Sequence, residues 1–143
     1  MRHLSTVQTT INRLIFADRK HGVSCEGIHL YPAEIHLMLV TRGDQAVNVT
    51  RMAETLGVTK GAVSQTLTRL VRKGILTKEK DPYNKNELAI TLTPLGKRAY
   101  AQCQQYAASI LAQLEQIIRS FSEDEQEVIE RFVAQLANVF TAP

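Results

Sequence analysis

Residues 47–93, VNVTRMAETLGVTKGAVSQTLTRLVRKGILTKEKDPYNKNELAITLT, switch their hydrophobic period from helical to alternating, and no other stretch constrains the fold as strongly. The first part reads as a short helix starting after Thr50, whose hydroxyl suits a cap, and ending at Gly57, which tolerates a left-handed backbone. Ala53 and Leu56 are its inward residues. A second helix is expected from Thr59 to Lys73 with Gly74 as its stop, because Val63, Leu67, Leu70 and Val71 recur along one face. After Gly74 the period becomes two. Residues 75–80 and 87–92 flank the polar turn Asp81-Pro82-Tyr83-Asn84-Lys85-Asn86, which signals a hairpin, and Ala46-Val47-Asn48-Val49 is expected to add a third short strand. Two helices joined at a glycine and followed by a hairpin make a winged helix-turn-helix, a device that sets one helix into a DNA major groove.

At about 100° per residue, the side of the second helix opposite its apolar stripe carries Gly61, Gln65, Thr68 and Arg72. Ser64 and Arg69 flank that side, and Lys60 lies in the first turn. Small residues, hydrogen-bonding groups and cations suit base edges and phosphates. On a lone helix such a face would ordinarily just meet water, but here the charge is sorted by region. Between Thr59 and Lys80 stand Lys60, Arg69, Arg72, Lys73, Lys78 and Lys80 against the single acid Glu79, whereas residues 113–143 hold six acids and two arginines. A basic patch centred on an exposed helix is the electrostatic footprint of polyanion binding. Lys85, in the turn, is placed to reach a phosphate or the adjacent minor groove.

These residues resemble the winged-helix domain of the MarR (multiple-antibiotic-resistance) family of transcriptional regulators. LGVTKGAVSQTLTRLVRKGIL is similar to the family's two-helix reading head, and the run from Asp81-Pro82 through Lys85 to Leu92-Thr93-Pro94-Leu95-Gly96-Lys97 is similar to its wing and the junction that follows. The resemblance implies a homodimer acting on a pseudo-palindromic operator in double-stranded DNA, commonly as a repressor. Carried over by position, Gln65 stands where relatives often have a polar or basic reader, Arg69 at a common DNA-contacting position and Lys85 within the wing motif. One departure is Asn86, where many relatives have a wing-tip arginine. The expected DNA-binding set is therefore Lys60, Gly61, Ser64, Gln65 and Thr68 for specificity, with Arg69, Arg72 and Lys85 as anchors.

Helices at both ends are the candidate dimer interface. Leu4, Val7, Ile11, Leu14 and Ile15 form an N-terminal stripe, and Ala99, Cys103, Tyr106, Ile110, Leu114, Ile117 and Ile118 line a long helix over 95–119, capped by Thr93 with Pro94 in its first turn. At about 1.5 Å per residue that helix exceeds what a compact domain of this size requires. A last helix begins at the capping box Ser122-Glu123-Asp124-Glu125 and turns Val128, Ile129, Phe132, Val133, Leu136 and Phe140 to one side. Burial within one protomer is the competing reading of these stripes. The expected architecture is mainly α with a small β-hairpin wing (α+β): one domain over 1–143, with a DNA-binding core at 31–93 and dimerisation helices at 1–20 and 94–143.

Several functions are disfavoured. The 143 residues contain no GxSxG, HExxH, GxxxxGK[ST] or GxGxxG, so an enzyme is not expected and no cofactor is assigned. Polar residues interrupt the N-terminal apolar stripe, so neither a signal peptide nor a membrane span is read, and a cytoplasmic location is expected. Cys25 and Cys103 lack CxxC spacing, which argues against a disulfide scaffold or zinc finger. The segment 21–36 gathers Cys25, Glu26, His21, His29 and His36, ligand types that zinc accepts, without a recognised metal spacing. No metal site is assigned, and metal or redox sensing on the same fold remains an alternative, as does a winged-helix protein-interaction module. Residues 32–42 read as a helix, with Pro32 near its start and Ile35, Met38 and Leu39 inward. The resemblance also implies an effector pocket between the reading head and the dimerisation helices. Tyr31, His29 and Arg13 are nearby candidates for its lining; the ligand, the operator and the regulated genes stay open.

Overall fold

The computed structural model describes residues 2–17, 21–41, 45–85 and 87–141. Its elements are α1 (Arg2–Ala17), β1 (Val23–Cys25), β2 (Ile28–Leu30), α2 (Pro32–Thr41), β3 (Gln45–Asn48), α3 (Val49–Leu56), α4 (Lys60–Arg72), β4 (Leu76–Lys80), β5 (Glu87–Leu92), α5 (Pro94–Ile118) and α6 (Glu123–Thr141). Two compact units divide the chain, Met1–Gln104 and Gln105–Pro143.

In the first unit, α3 and α4 form the expected pair of helices, and local chemistry sets their ends. Thr59 Oγ1 accepts from the Ala62 N–H at 3.1 Å and so caps α4. Gly57 closes α3 at φ +66, and Gly74 follows α4 at φ +72, a region where a side chain is disfavoured. The cap of α3 differs from expectation. Asn48, not Thr50, performs it: its Oδ1 accepts from the Arg51 N–H at 3.0 Å, and Val49 is the first helical residue rather than the end of a strand. The earlier start brings Met52 inward beside Ala53, while Leu56 is half-buried.

The wing is a three-stranded antiparallel sheet in the order β3-β5-β4, so the expected third strand is present and pairs Ala46 with Ala89. On its other edge β5 pairs Leu92 with Leu76 and Ile90 with Lys78. Leu37 and Met38 of α2, Val63, Leu67 and Leu70 of α4, and Ile75, Leu76 and Ile90 meet in one core, each at most 2% exposed. Val71, expected inward, is half-buried, and Thr66 is buried instead. In α2, Ile35 and Met38 face inward as expected, but Leu37 is buried and Leu39 only half-buried. The hairpin β1–β2 was not anticipated. Its strands have three residues each, too few to show alternation, and its turn places Glu26 at φ +49 and Gly27 at φ +81, as a tight two-residue hairpin turn requires.

The start of α5 is built against the end of α4. Thr93 accepts from the Gly96 N–H at 2.9 Å and donates its hydroxyl to Gly74 O at 2.5 Å, while its own N–H donates to Ile75 O at 3.1 Å. Pro94 occupies the first turn, where its missing N–H costs nothing. Gly96 packs so closely that a Cβ there would collide with the carbonyl of Ile75. Along α1, Leu4 is exposed and Val7 and Ile11 are half-buried; the Leu14 and Ile15 side chains lie outside the described residues.

In the second unit, Ser122 and Glu125 form the expected capping box. The Ser122 N–H donates to Glu125 Oε2 at 2.8 Å, a bond that holds the Glu125 carboxyl below the usual range, and the Glu125 N–H reaches Ser122 Oγ at 3.4 Å. Ile110, Leu111, Leu114 and Ile117 of α5 and Val128, Phe132, Val133 and Val139 of α6 are exposed. No helix among the described residues is long and apolar enough to cross a membrane.

The tight seat of α5 yields an expectation for stability. Gly96→Ala must push the first turn of α5 off Ile75 and should cost about 1–3 kcal/mol, read as a lowered urea midpoint with an unchanged slope.

Candidate nucleic-acid interface

On α4 the expected reading residues are on the surface: Lys60, Gly61, Ser64, Gln65, Thr68, Arg69 and Arg72 are all exposed. Ser64, Gln65, Thr68, Arg69 and Arg72 line one open concavity of about 400 Å³. Packing does not demand glycine at position 61, since a Cβ there would meet only Thr59 Oγ1 at 3.9 Å. A bare backbone at that point permits close approach to another molecule. The first turn of α4 carries no acid, and its last turn carries Arg69 and Arg72, which suit the negative end of the helix dipole. Lys85 is exposed in the wing turn, where Asp81 Oδ1 accepts from the N–H groups of Tyr83 at 2.7 Å and Asn84 at 3.0 Å. Tyr83 is 97% exposed, and Asn86 lies outside the described residues.

Beneath this surface lies a buried carboxylate that sequence reasoning missed. Glu34, in the first turn of α2, is fully buried; its Oε2 accepts from Lys73 Nζ at 2.7 Å and from the Tyr31 N–H at 2.9 Å. Lys73 also donates to His29 O at 2.7 Å, and its ammonium sits 4.9 Å from the centre of the Tyr31 ring. Glu34 Oε1 has no hydrogen-bond partner among the described residues, and Arg69 Nε stands 3.7 Å from it. Arg69 in turn donates from Nη2 to the hydroxyl of buried Thr66 at 2.8 Å. Of the six cations in the basic patch, Lys73 is thus committed inward and Arg69 is braced from behind. The end of β2, the start of α2 and the end of α4 are tied at one point. Glu34 and Lys73 are 39 residues apart, and no local pattern links them.

Two further contacts bear on the reading face. The Thr68 hydroxyl donates to Ser64 O at 2.9 Å and accepts from Lys78 Nζ at 3.0 Å, which brings a lysine of β4 onto α4. Lys78 belongs to the basic patch and lies outside the DNA-binding set expected from the sequence.

The residues of segment 21–36 do not converge. Cys25 is buried, and Glu26 is clamped by Arg98, whose Nε and Nη2 donate to Oε1 and Oε2 at 2.6 and 2.9 Å. That hydrogen bonding holds Glu26 below the usual carboxylate range, so the link to Arg98 persists as the pH falls through that range and is lost only below it, where Glu26 itself takes up a proton. His29 shares a 3.3 Å hydrogen bond between Nδ1 and Ser24 Oγ and packs edge-on against Tyr31, with ring centres 4.6 Å apart. His36 and Arg13 are exposed. Among the described residues, no three His, Cys, Asp or Glu side chains are placed to share a metal ion. Cys103 is fully buried, and burial first, then the nearby charge of Cys25, pushes its thiol up to about 11.

Helix-turn-helix, wing and exposed basic recognition helix define a winged-helix fold of the kind used to bind DNA. Residues 34–85 match the model of the MarR family. The chain is 30% identical over 99 residues to the HTH-type transcriptional regulator YvnA of Bacillus subtilis, an alignment covering 69% of this chain and 63% of that protein. Among solved structures it is similar to the adhesin competence repressor AdcR of Streptococcus pyogenes, at a TM-score of 0.75, 24% identity and coverage of 99% and 97% of the two chains. It is also similar to ZitR of Lactococcus lactis in complex with DNA, at a TM-score of 0.73, 23% identity and coverage of 97% and 96%.

Two expectations follow from this geometry. Glu34→Ala leaves Lys73 without its carboxylate and the first turn of α2 uncapped, and should destabilise the fold by about 3–5 kcal/mol in equilibrium unfolding. Cys103, buried and almost entirely protonated near neutral pH, should resist iodoacetamide in the native protein and react once urea unfolds it, as followed by intact mass.

Proposed function

We propose that the chain is a sequence-specific, DNA-binding transcriptional regulator that works as a homodimeric repressor on a pseudo-palindromic operator in the cytoplasm, and that it is not an enzyme. The observation that carries this reading is the outward face of α4: five polar or cationic side chains open onto one concavity, on a helix whose opposite side is locked into the core. Gln65, Ser64 and Thr68, with Lys60 and Gly61 in the first turn, face base edges, while Arg69, Arg72 and Lys85 take phosphates. The exposed apolar residues of α5 and α6 form the surface against which a second copy packs, since an apolar face this large is seldom left to water. Two copies then present two recognition helices, the arrangement that gives a palindromic site its affinity and spacing. The DNA-bound state of ZitR supports the same role.

AdcR is described as zinc-dependent and ZitR as zinc-responsive. Among the described residues of this chain no three His, Cys, Asp or Glu side chains converge: Glu26 pairs with Arg98, Glu34 with Lys73, Cys25 is buried and His36 is exposed.

Selection of bound fragments from random duplexes, combined with the protein's mass in solution, tests the proposal; recovery of no motif, or a monomer, overturns it. In salt-titrated binding, Arg69→Ala should weaken all duplexes and reduce the salt slope by about one, while Gln65→Ala should mainly alter sequence preference.

A further inference from the structure

We infer that Lys78, on the first strand of the wing's hairpin, contacts a DNA phosphate beside α4, and that Thr68 is a positioning residue that holds it there rather than a reader of bases. The inference rests on the DNA-binding role proposed above and reassigns one of its contacts. The hydroxyl of Thr68 has a single proton, and that proton is directed to Ser64 O at 2.9 Å. It therefore has none to offer the acceptor atoms that purines display in the major groove. The same oxygen accepts from Lys78 Nζ at 3.0 Å, which holds the ammonium beside Thr68, one of the residues that line the concavity on α4. Lys78 spends one of its three N–H groups in this way and keeps two.

The sheet explains how the lysine gets there. Lys78 lies directly opposite Ile90 in the β4–β5 register, and cross-strand partners share a face. Ile90 is buried, so that face is turned toward the core, and the Lys78 stem runs along it to α4 with its head exposed. Its neighbours Thr77 and Glu79 alternate to the other face. The ion pairs among the described residues involve Glu34, Glu26 and Glu115 and leave Lys78 out, so its charge is not cancelled as that of Lys73 is. A cation held by a hydroxyl at the edge of a reading helix, with two donors in hand, is arranged for an anionic oxygen.

The test is salt-titrated binding of the full chain to its selected duplex and to a scrambled duplex. Lys78→Ala, and Lys78→Met, which keeps the stem, should each weaken both duplexes about tenfold and lower the salt slope by about one. Thr68→Val, which keeps the shape and removes the hydroxyl, should lose part of that affinity without changing base preference. The double variant Thr68→Val/Lys78→Ala should bind no worse than Lys78→Ala alone, and Thr68→Ser should restore binding. Unaltered affinity and slope in both Lys78 variants would overturn the inference, as would additive losses in the double variant or a changed base preference in Thr68→Val. If the unmodified chain binds neither duplex, it is the DNA-binding role itself that fails.

Discussion

The Glu34–Lys73 pair is the point on which the geometry of the reading head depends. A carboxylate without solvent is costly, and its attraction to a single ammonium repays that cost only when the remaining lone pairs find donors. Glu34 meets the condition incompletely: one oxygen receives Lys73 and the Tyr31 N–H, while the other faces Arg69 at 3.7 Å without a hydrogen bond. Such a site constrains geometry, because its charge is answered only by partners from separate elements. It leaves one arrangement of β2, α2 and α4 in which the buried charge is answered, and any rotation of α4 withdraws that answer.

Helix α4 consequently has three functional sides rather than two. Val63, Leu67 and Leu70 bury the apolar side, and Ser64, Gln65 and Arg72 face outward. Between them Lys73 joins the end of the helix to what lies behind it, while buried Thr66 bonds within α4 to Ala62 and Arg69. Arg69 belongs to both the second and third sides, because Thr66 and Glu34 brace its guanidinium while nearly half of the side chain stays exposed. A braced arginine loses less conformational freedom when it meets a phosphate than a freely rotating one. The same logic sets Lys78 apart from Lys80 and Lys60, which carry the same charge.

The two units differ in how they use apolar surface. In residues 1–104 the large apolar side chains of α2, α4 and the wing close into a core. In residues 105–143 many of them remain on the outside of α5 and α6. Paired protomers, as proposed, give that surface a purpose.

The elements that were legible in the sequence owe their form to neighbours a few residues away. Thr59 and Gly74 delimit α4, Thr93-Pro94 starts α5, and Ser122 with Glu125 starts α6, each through contacts within one helical turn. The outward placement of Ser64, Gln65, Thr68, Arg69 and Arg72 was legible for the same reason, because helical periodicity converts spacing into direction. The β1–β2 hairpin was not, since six strand residues carry too little pattern. Nor was the inward turn of Lys73, a lysine that reads as surface until Glu34 is brought beside it from 39 residues upstream. The sequence alone determined which helix faces outward and with what chemistry. Only the tertiary structure decided which of its cations remain available, because that depends on buried and cross-element partners whose contacts exist only once the chain has closed on itself.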